Sequence, residues 1–532
     1  MNNKYYKLSI AVLVFFVLAS AALLFLKNSF SYSDTDLGWH LRLGEDWLAG
    51  RQAAGVNQYN YTLLGQKWVD HEWFLNAAMA VIFRAGGFLS LHLVFLFILI
   101  LASFLAWKRS YKLSGGDLSA AISSAFWLFF GLLASRPHLG IRLQEFTLLG
   151  LACLFLLFSN QRSCRLYFWS LPFLFFLWAN MHGGFVLGLA LFAAYIAYVF
   201  LSPLLQRIFR WQAFSWESFD PFYKWQLLLV LIFSLAATLL NPYGLGLYSF
   251  LGTYFNTAYM VYIREWQGQF IFPLLYAQII YLSLSVTAVL LIVWKKKDIV
   301  RRLSYWEAFL FLLFLVLAIR SRRHFPIFVF VSLPFLAQAF NDLFADFLAW
   351  RPFKNKLLPL IAAAAFFLAL LVYQVFNIPW RQDGLQDFCG RKYPCAAVDF
   401  LKSRPDWSGL RLFNEYDWGG YLLWAYPQRM IFIDGRMPQA EYKGRTILEE
   451  YLRFKKNEPD IKNLLDDYQI RLVLLKAAPA NLSLSPWEKF IFRIDGSELQ
   501  SHDPLRFYLD TSPDWQVVFR DNLSIIYKMN ED

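Results

Sequence analysis

The residues best suited to chemistry lie in a polar stretch that follows the first apolar segment. It contains Asp34-Thr-Asp36-Leu-Gly-Trp-His40 and, further along, Asp70-His71-Glu72-Trp73. Carboxylates beside imidazoles can accept and donate protons, and the same groups can bind Mg²⁺, Mn²⁺ or Zn²⁺. A simpler interpretation is that Asp34 and Asp36 cap a helix predicted from Trp39 to Leu48. That interpretation accounts for one aspartate more easily than for two.

Short turns further along the chain carry similar polar groups. They are Ser135-Arg136-Pro137-His138, Asn180-Met181-His182-Gly183-Gly184, Asn241-Pro242-Tyr243-Gly244, Arg264-Glu265-Trp266 and Arg320-Ser321-Arg322-Arg323-His324. Any one of them would be an ordinary turn at a membrane surface. Together with the acidic stretch they contain five of the seven histidines and a basic patch. The combination predicts a site that holds an anion beside a carboxylate.

The elements that must position these groups are membrane helices. The residues AVILMFWYC make up 58% of the 532 residues, DEKR make up 17%, and the mean hydropathy is +0.39. This composition excludes a soluble, disordered or disulfide-dense chain. Apolar runs predict eleven spans, at 8–26, 88–107, 118–135, 141–159, 166–181, 184–204, 225–240, 273–294, 303–319, 325–341 and 357–377. Most of the net charge of +12 lies in loops between these runs, so nucleic-acid binding is not expected.

The distribution of basic residues predicts the orientation. With the N-terminus inside, inner loops hold 18 of the 29 Lys and Arg residues before residue 378, and outer loops hold 11. This bias follows the positive-inside rule. An odd number of spans then places residues 378–532 outside the cytoplasm, on the side of the polar clusters. The acidic stretch belongs to the first outer loop, residues 27–87 (loop one). The helix predicted from Trp39 to Leu48 would lie at the membrane interface, and residues 74–83 resemble a second such helix, which ends at Gly86-Gly87.

Residues 378–532 (the C-terminal region) predict a small extracytoplasmic α/β domain, after a membrane module that comprises residues 1–377. The region has 21 basic and 23 acidic residues. Predicted strands are Leu410–Phe413, Met430–Ile433, Leu472–Leu475, Val517–Phe519 and Ile525–Tyr527, and predicted helices are 396–403, 438–455 and 459–468. Cys389 and Cys395 lie close together outside the cytoplasm, which favours a disulfide over two free thiols.

This architecture resembles the GT-C superfamily of polytopic membrane glycosyltransferases, which use polyprenyl-phosphate or polyprenyl-diphosphate sugar donors. The chain is most similar to the branch of protein O-mannosyltransferases and aminoarabinose transferases, and to bacterial membrane proteins that share segments such as Asp-Leu-Gly-Trp-His. Asp36-Leu37-Gly38-Trp39-His40 takes the place of the first-loop Asp-Glu motif of the family. Leu37 stands where the family has Glu, and no Pro-Pro pair follows His71.

The resemblance implies sugar transfer with inversion and suggests a role for each cluster. Asp36 is expected to be the general base, with Asp34 as the alternate. Residues expected to orient the acceptor or a metal are His40, Asp70, His71 and Glu72. Residues expected to bind the donor phosphate are Arg136, His138, His182, Arg264, Glu265, Arg322, Arg323 and His324. The sequence contains no fixed metal-ligand signature, although Asp36, Asp70 and Glu72 could hold a divalent cation.

Three other functions stay open. They are a lipid-linked-sugar flippase or small-solute carrier, a non-catalytic subunit of an envelope assembly machine, and a polysaccharide polymerase or ligase. The centres of the predicted spans are almost free of charge, and the sequence shows no internal repeat. Both features favour chemistry at the membrane interface over transport. The implied location is the bacterial cytoplasmic membrane. The implied partners are a polyprenyl-phosphate-linked sugar, the lipid bilayer and an envelope glycan, lipid or protein acceptor.

Overall fold

The computed structural model describes residues 3–31, 34–51, 55–159, 165–208, 221–254, 261–295, 303–349, 357–376, 389, 392–456, 460–478, 486–492 and 503–530. The helices of its first part are α1 (Asn3–Ser31), α2 (Leu37–Leu48), α3 (Trp73–Leu113), α4 (Leu118–Ser135), α5 (Gln144–Phe158), α6 (Arg165–Met181), α7 (Phe185–Ile208), α8 (Pro221–Thr238), α9 (Gly246–Thr253), α10 (Tyr276–Lys295), α11 (Tyr305–Arg320), α12 (Phe325–Ala349) and α13 (Leu357–Phe376). Each predicted apolar run coincides with one of these helices.

Within the described residues, six helical segments are long and apolar enough to cross a membrane. They are Lys7–Asn28, Trp73–Leu113, Leu118–His138, Phe185–Arg207, Tyr276–Trp294 and Arg322–Asn341. Gln144–Phe158, Trp169–Met181 and Tyr223–Thr238 are apolar but shorter. The chain is therefore a multi-pass membrane protein, whereas the count of eleven spans remains a prediction.

A kink divides α3 into an outer part and a membrane part. Gly86 and Gly87 have non-helical backbone angles, and Gly87 has a φ of 62°. A residue with a side chain rarely adopts that conformation, so glycine is the natural residue at the bend. The kink lies where the sequence predicts the end of an interfacial helix, and α2 packs against α3.

The C-terminal region contains a small mixed sheet with short helices. Its helices are α14 (Cys395–Lys402), α15 (Gly419–Ala425), α16 (Ile447–Lys455), α17 (Ile461–Asp467), α18 (Pro486–Phe492) and α19 (Pro504–Thr511), and its strands are β1 (Arg411–Asn414), β2 (Glu441–Tyr442), β3 (Arg445–Thr446), β4 (Ile470–Lys476), β5 (Trp515–Arg520) and β6 (Ser524–Met529). The strand order is β1-β4-β6-β5, with β1 parallel to β4 and the other pairs antiparallel. Four of the five predicted strands are confirmed.

The fifth predicted strand, Met430–Ile433, is wrong, because the segment bonds mainly to loop one instead of joining the sheet. Ile431 forms isolated bridges to Leu412 and Asn60. The N–H of Ile431 donates to Tyr59 O at 3.2 Å, and Tyr61 N–H donates to Ile431 O at 3.2 Å. The predicted helix 438–455 is wrong in its first half, where β2 and β3 form a hairpin. The helix begins after Thr446, which forms a capping box with Glu449.

Two glycines allow the C-terminal region to pack directly on loop one. Helix α15 lies against α2. A Cβ atom on Gly38 would lie 2.4 Å from the Gly420 carbonyl oxygen, and one on Gly420 would lie 2.5 Å from the Thr35 carbonyl oxygen. Only glycine permits such an approach of two backbones. Loop one and the C-terminal region therefore share one interface on one face of the helical bundle.

Candidate active site between loop one and the C-terminal region

Asp34 and Asp36 immediately precede α2, but the Asp36 side chain does not cap the helix. Asp36 occupies the N-cap position without a side-chain capping hydrogen bond. Its backbone N–H donates to Asp34 Oδ1 at 3.1 Å. The simple capping interpretation therefore leaves the carboxylate of Asp36 unexplained. That carboxylate lies against the backbone of Gly435, in the C-terminal region.

Asp34 begins a chain of three alternating charges. Its Oδ2 lies 3.0 Å from Arg142 Nε, and Arg142 Nη1 bonds to Glu265 Oε1. The three side chains are between 17% and 35% exposed. We call these residues the ion chain. It joins loop one to the turn before α5 and to the turn before α10, so three distant segments meet at one guanidinium.

The charges of the ion chain act on Asp36 in opposite directions. Burial, followed by the charge of Asp34, raises the pKa of Asp36 to about 7, although the Trp39 indole and the Arg142 guanidinium oppose the rise. Burial would also raise the pKa of Glu265, but the guanidinium of Arg142, followed by that of Arg323, lowers this pKa to about 2. Glu265 is therefore charged at neutral pH, while Asp36 exists in both protonation states.

Beside Asp36 lies a second cluster, in which three imidazoles surround one carboxyl group. Glu72 lies 3.5 Å from His71 Nε2, 3.6 Å from His182 Nε2 and 4.0 Å from His40 Nδ1. We call these four residues the histidine cluster. Burial, followed by the charge of Asp70, raises the pKa of Glu72 well above its usual value, and the charges of Asp36 and Asp34 add to the rise. The cluster and the two aspartates are therefore close enough for their charges to interact.

The imidazoles of this cluster are neutral, and the tautomer of His182 is fixed. Burial lowers the pKa of His40 and that of His71 to about 4, and lowers the pKa of His182 well below its usual value. Gly184 N–H donates to His182 Nδ1 at 3.0 Å, and Thr147 Oγ1 lies 2.8 Å from the same nitrogen. Because Nδ1 accepts, the proton of neutral His182 is on Nε2, which faces Glu72.

Asp70 supports the site and does not point into it. Its Oδ2 accepts from Trp47 Nε1 at 2.8 Å, and its Oδ1 accepts from Asn76 Nδ2 at 2.9 Å and from the Glu72 backbone N–H at 3.2 Å. Asn76 Oδ1 lies 2.7 Å from His40 Nδ1. Burial, opposed by these hydrogen bonds, raises the pKa of Asp70 to about 6. Through Asn76, Asp70 orients the imidazole of His40.

The expected phosphate-binding cations differ in how they are placed. The guanidinium of Arg323 stacks over Trp266 at 5.0 Å, and its charge acts on both Glu265 and Glu72. The backbone N–H of Arg323 donates to the backbone oxygen of Glu265 at 2.9 Å. The guanidinium of Arg322 is buried and donates to Ile271 O. Arg136 is half-buried and Arg264 is exposed, and neither belongs to the ion chain. Arg323 is thus the best placed of the four toward the two clusters.

His138 and His324 are the two remaining residues that are expected to bind the donor phosphate, and they lie at the edge of the site. Both ring nitrogens of His138 are buried without a hydrogen-bond partner among the described residues. Its charge contributes to the lowered pKa of Glu265, which places it beside the ion chain. The His324 ring meets the Trp266 ring edge-on at 6.1 Å. His138 therefore offers hydrogen-bonding groups that the protein itself does not use.

The described side chains fit a divalent cation poorly. No group of three or more His, Cys, Asp or Glu residues in the described part of the chain has an arrangement that could hold one. The carboxylate oxygens of Asp70 are both occupied by donors, and His182 presents an N–H to the cluster, not a lone pair.

The fold is similar to that of an archaeal oligosaccharyltransferase, AglB from Archaeoglobus fulgidus. Its structure in complex with an inhibitory peptide and a dolichol-phosphate matches with a TM-score of 0.58 and 13% identity, over 90% of this chain and 70% of that one. The structure of the A. fulgidus enzyme tethered with an acceptor peptide containing the NVT sequon matches with a TM-score of 0.57 and 12% identity, over 98% and 74%.

These similarities define the class of the fold. Oligosaccharyltransferases of this kind are GT-C superfamily membrane glycosyltransferases, so the chain has a GT-C-like fold, as predicted. Identities this low establish the fold alone. No protein-family model and no curated protein sequence matches the chain.

Two residues of this site were not predicted from the sequence. Arg142 was placed inside the predicted span 141–159, although α5 begins only at Gln144. An arginine at the end of an apolar run is a signal that could have identified it, since charges avoid the membrane centre. The role of Gly435 depends on a contact with Asp36 of loop one, which sequence spacing does not reveal.

Proposed function

We propose that the protein is a glycosyltransferase that moves a sugar from a polyprenyl-phosphate-type donor to an envelope acceptor. The observation that carries the proposal is the environment of Asp36, a carboxyl group whose pKa is raised to about 7 by burial and by the charge of Asp34, next to the ion pair of Asp34 with Arg142. The GT-C-like fold supports the same class of reaction. Both solved neighbours carry a peptide, and one also carries a dolichol-phosphate.

Asp36 acts as the general base in this proposal. A base is most effective when its pKa is close to the working pH, because it is then largely unprotonated and still accepts a proton readily. Asp36 takes the proton from the acceptor hydroxyl as that oxygen attacks the anomeric carbon. The bond from this carbon to the donor phosphate breaks in the same step, so a single displacement inverts the configuration of the sugar.

Arg323 and Arg142 stabilise the departing phosphate. Both guanidinium groups lower the pKa of Glu265, and Arg142 also opposes the rise in the pKa of Asp36. Arginine presents several N–H donors in a plane, which suits the oxygens of a phosphate. Negative charge on the phosphate grows as the bond breaks, so a fixed cation stabilises the transition state more than the ground state. His138 would add hydrogen bonds from the same side.

The histidine cluster binds the acceptor. Burial lowers the pKa values of its imidazoles and raises that of Glu72, so it favours neutral groups that offer hydrogen bonds to hydroxyl groups without attracting a second anion. The site lies outside the cytoplasm in the proposed orientation, on the outer face of a bacterial cytoplasmic membrane. The C-terminal region covers it there, and the Cys389–Cys395 disulfide is compatible with that location.

The test is sugar release by the purified protein in lipid. We expect release from at least one member of a panel of polyprenyl-phosphate sugars, and we expect Asp36→Asn to lower kcat by about 10²–10⁴-fold, because the base is lost while the shape is kept. Asp399→Asn is the control, since Asp399 is 77% exposed on the C-terminal region. It should match the wild type.

Three outcomes would count against the proposal in different ways. Lack of release from every donor would reject the glycosyltransferase activity. Release that Asp36→Asn leaves unchanged would reject the site and keep the activity. Movement of an intact lipid-linked sugar across the bilayer, without release, would favour a flippase.

A further inference from the structure

A turn of the C-terminal region is fixed firmly into loop one. In Asp434-Gly435-Arg436, Arg436 Nη2 lies 2.7 Å from Asp434 Oδ2, and the two side chains are 0% and 1% exposed. Asn60 bridges the pair, since its Nδ2 donates to Asp434 Oδ2 at 2.8 Å and its Oδ1 accepts from Arg436 Nη2 at 2.7 Å. The buried ion pair therefore has partners on both sides of the interface.

Aromatic rings of loop one complete the surroundings of Arg436. Its guanidinium lies 4.5 Å from the centre of the Tyr59 ring and 5.0 Å from that of Trp68. Such contacts are strongest where water is excluded. The position of the turn relative to loop one is thus determined by charge, hydrogen bonds and stacking together.

Between Asp434 and Arg436, the backbone of Gly435 lies against the carboxylate of Asp36. A Cβ atom on Gly435 would lie 2.3 Å from Asp36 Oδ1 and 3.6 Å from Trp39 Nε1. Gly435 is not among the glycines with a left-handed backbone. Its backbone conformation would therefore accept other residues, and what requires glycine is the space that the Asp36 carboxylate occupies.

We propose that Gly435 is a positioning residue of the active site, which fixes where the Asp36 carboxylate stands, and that the Asp434–Arg436 pair holds Gly435 in place. This inference rests on the proposed function. It gives the C-terminal region a direct part in catalysis, because one wall of the site behind the base belongs to that region. The region would then be more than a cover or a docking surface for the acceptor.

The first test compares Gly435→Ala with Gly409→Ala. Gly409 has open space around its Cβ position, so its variant measures the effect of a glycine-to-alanine change alone. The added methyl group on residue 435 must displace the carboxylate, and a misplacement near 1 Å can lower a rate by about 10²-fold. We expect kcat to fall by about that factor, with the KM for the donor almost unchanged, the same melting temperature, and wild-type kinetics for Gly409→Ala.

The second test asks whether Gly435 acts through Asp36. In the Asp36→Asn background, where the base is already absent, Gly435→Ala should lower the remaining activity no further. Residues that act as one unit behave in this non-additive way. A residue that only stabilises the fold would lower both activities by the same factor.

If Gly435→Ala reduces the yield of folded protein, Asn60→Ala serves as the second variant. It loosens the Asp434–Arg436 pair without contacting Asp36, and it should lower kcat while leaving the donor KM unchanged. Wild-type kcat in Gly435→Ala, or equal losses in the two backgrounds, would overturn the inference. The proposed function fails separately, when wild-type protein releases no sugar or Asp36→Asn is fully active.

Discussion

The ion chain and the histidine cluster differ in both exposure and electrostatic state: the side chains of the ion chain are 17–35% exposed, and those of the histidine cluster are 8–18% exposed. In the ion chain, Arg142 lies between two carboxylates, and the pKa of Glu265 is lowered to about 2 despite its burial. In the histidine cluster, Arg323 is the cation that acts on Glu72, and burial dominates, so the pKa of Glu72 is raised well above its usual value. Paired charges therefore dominate one half of the site, whereas burial favours the neutral forms of the groups in the other half.

This difference shows how one enclosed site can treat two substrates differently. A phosphate needs fixed positive charge, whereas a sugar or peptide hydroxyl needs neutral hydrogen-bonding groups. Asp36 lies between the two halves, and its intermediate pKa reflects both burial and the opposing charges of Asp34 and Arg142. Variants that change only one half therefore test whether the two halves have separate roles.

Arg142→Gln should have the largest effect, because it removes the cation from the ion chain. Breaking a buried ion pair by deleting one partner costs about 3–5 kcal/mol, and we expect the lower end, since Arg142 is 21% exposed. The donor phosphate would also lose a cation, so kcat should fall by at least about 10²-fold. Thermal unfolding and sugar release measure the two effects.

The exposed ion pair of loop one is the control for Arg142→Gln. Arg84 lies 2.7 Å from Glu45, and the side chains are 53% and 34% exposed. Exposed pairs contribute at most about 1 kcal/mol, so Arg84→Gln should change stability little and activity not at all. Adding Glu265→Gln to Arg142→Gln should restore part of the stability. Equal effects of Arg142→Gln and Arg84→Gln would contradict the central role of the ion chain.

Much of the fold followed from the sequence, because it depends on local patterns. Apolar runs predicted the bundle helices, and the succession of short strand-like and helical segments predicted β1, β4, β5 and β6. The segment Met430–Ile433 has the same composition as a strand, but it bonds to Tyr59 and Tyr61, far away in sequence. The start of α16 could have been predicted, since Thr446 and Glu449 have the spacing of a capping box.

The candidate site was predictable in its residue types and less so in its contacts. Asp36 and Glu72 stood out because carboxylates are rare in an apolar chain. Arg142 and Gly435 did not, since an arginine at a helix start and a glycine in a turn are ordinary features. What makes them important is their packing against Asp34 and Asp36, which depends on how three chain segments fold together.

The pH dependence of kcat should report the base between the two halves. The pKa of Asp36 is raised to about 7, and a base must be unprotonated, so activity should rise with pH. An increase of about tenfold is expected from about pH 6 to about pH 8. The pKa values of His40 and His71 are lowered to about 4, so these imidazoles stay neutral throughout this range. Kinetics at saturating donor would measure the profile.

The Asp36→Asn variant supplies the control for this profile. Its residual activity should be independent of pH in the same range, because the titrating group is absent. A profile that falls with rising pH, or one that keeps its shape in Asp36→Asn, would assign the titration to another group. In that case a group other than Asp36 would be the base.

Glu72→Gln should have the smallest effect and tests the neutral half most directly. Glutamine has the shape of a protonated glutamate and carries no charge, so it should replace Glu72 with a change in kcat and KM of no more than about threefold. Glu72→Ala is the matched comparison, because it leaves a void beside His71 and His182 and removes their common partner. A loss of activity in Glu72→Gln as large as that in Asp36→Asn would mean that Glu72 works as a charged group, and the division of the site into an ionic and a neutral half would be wrong.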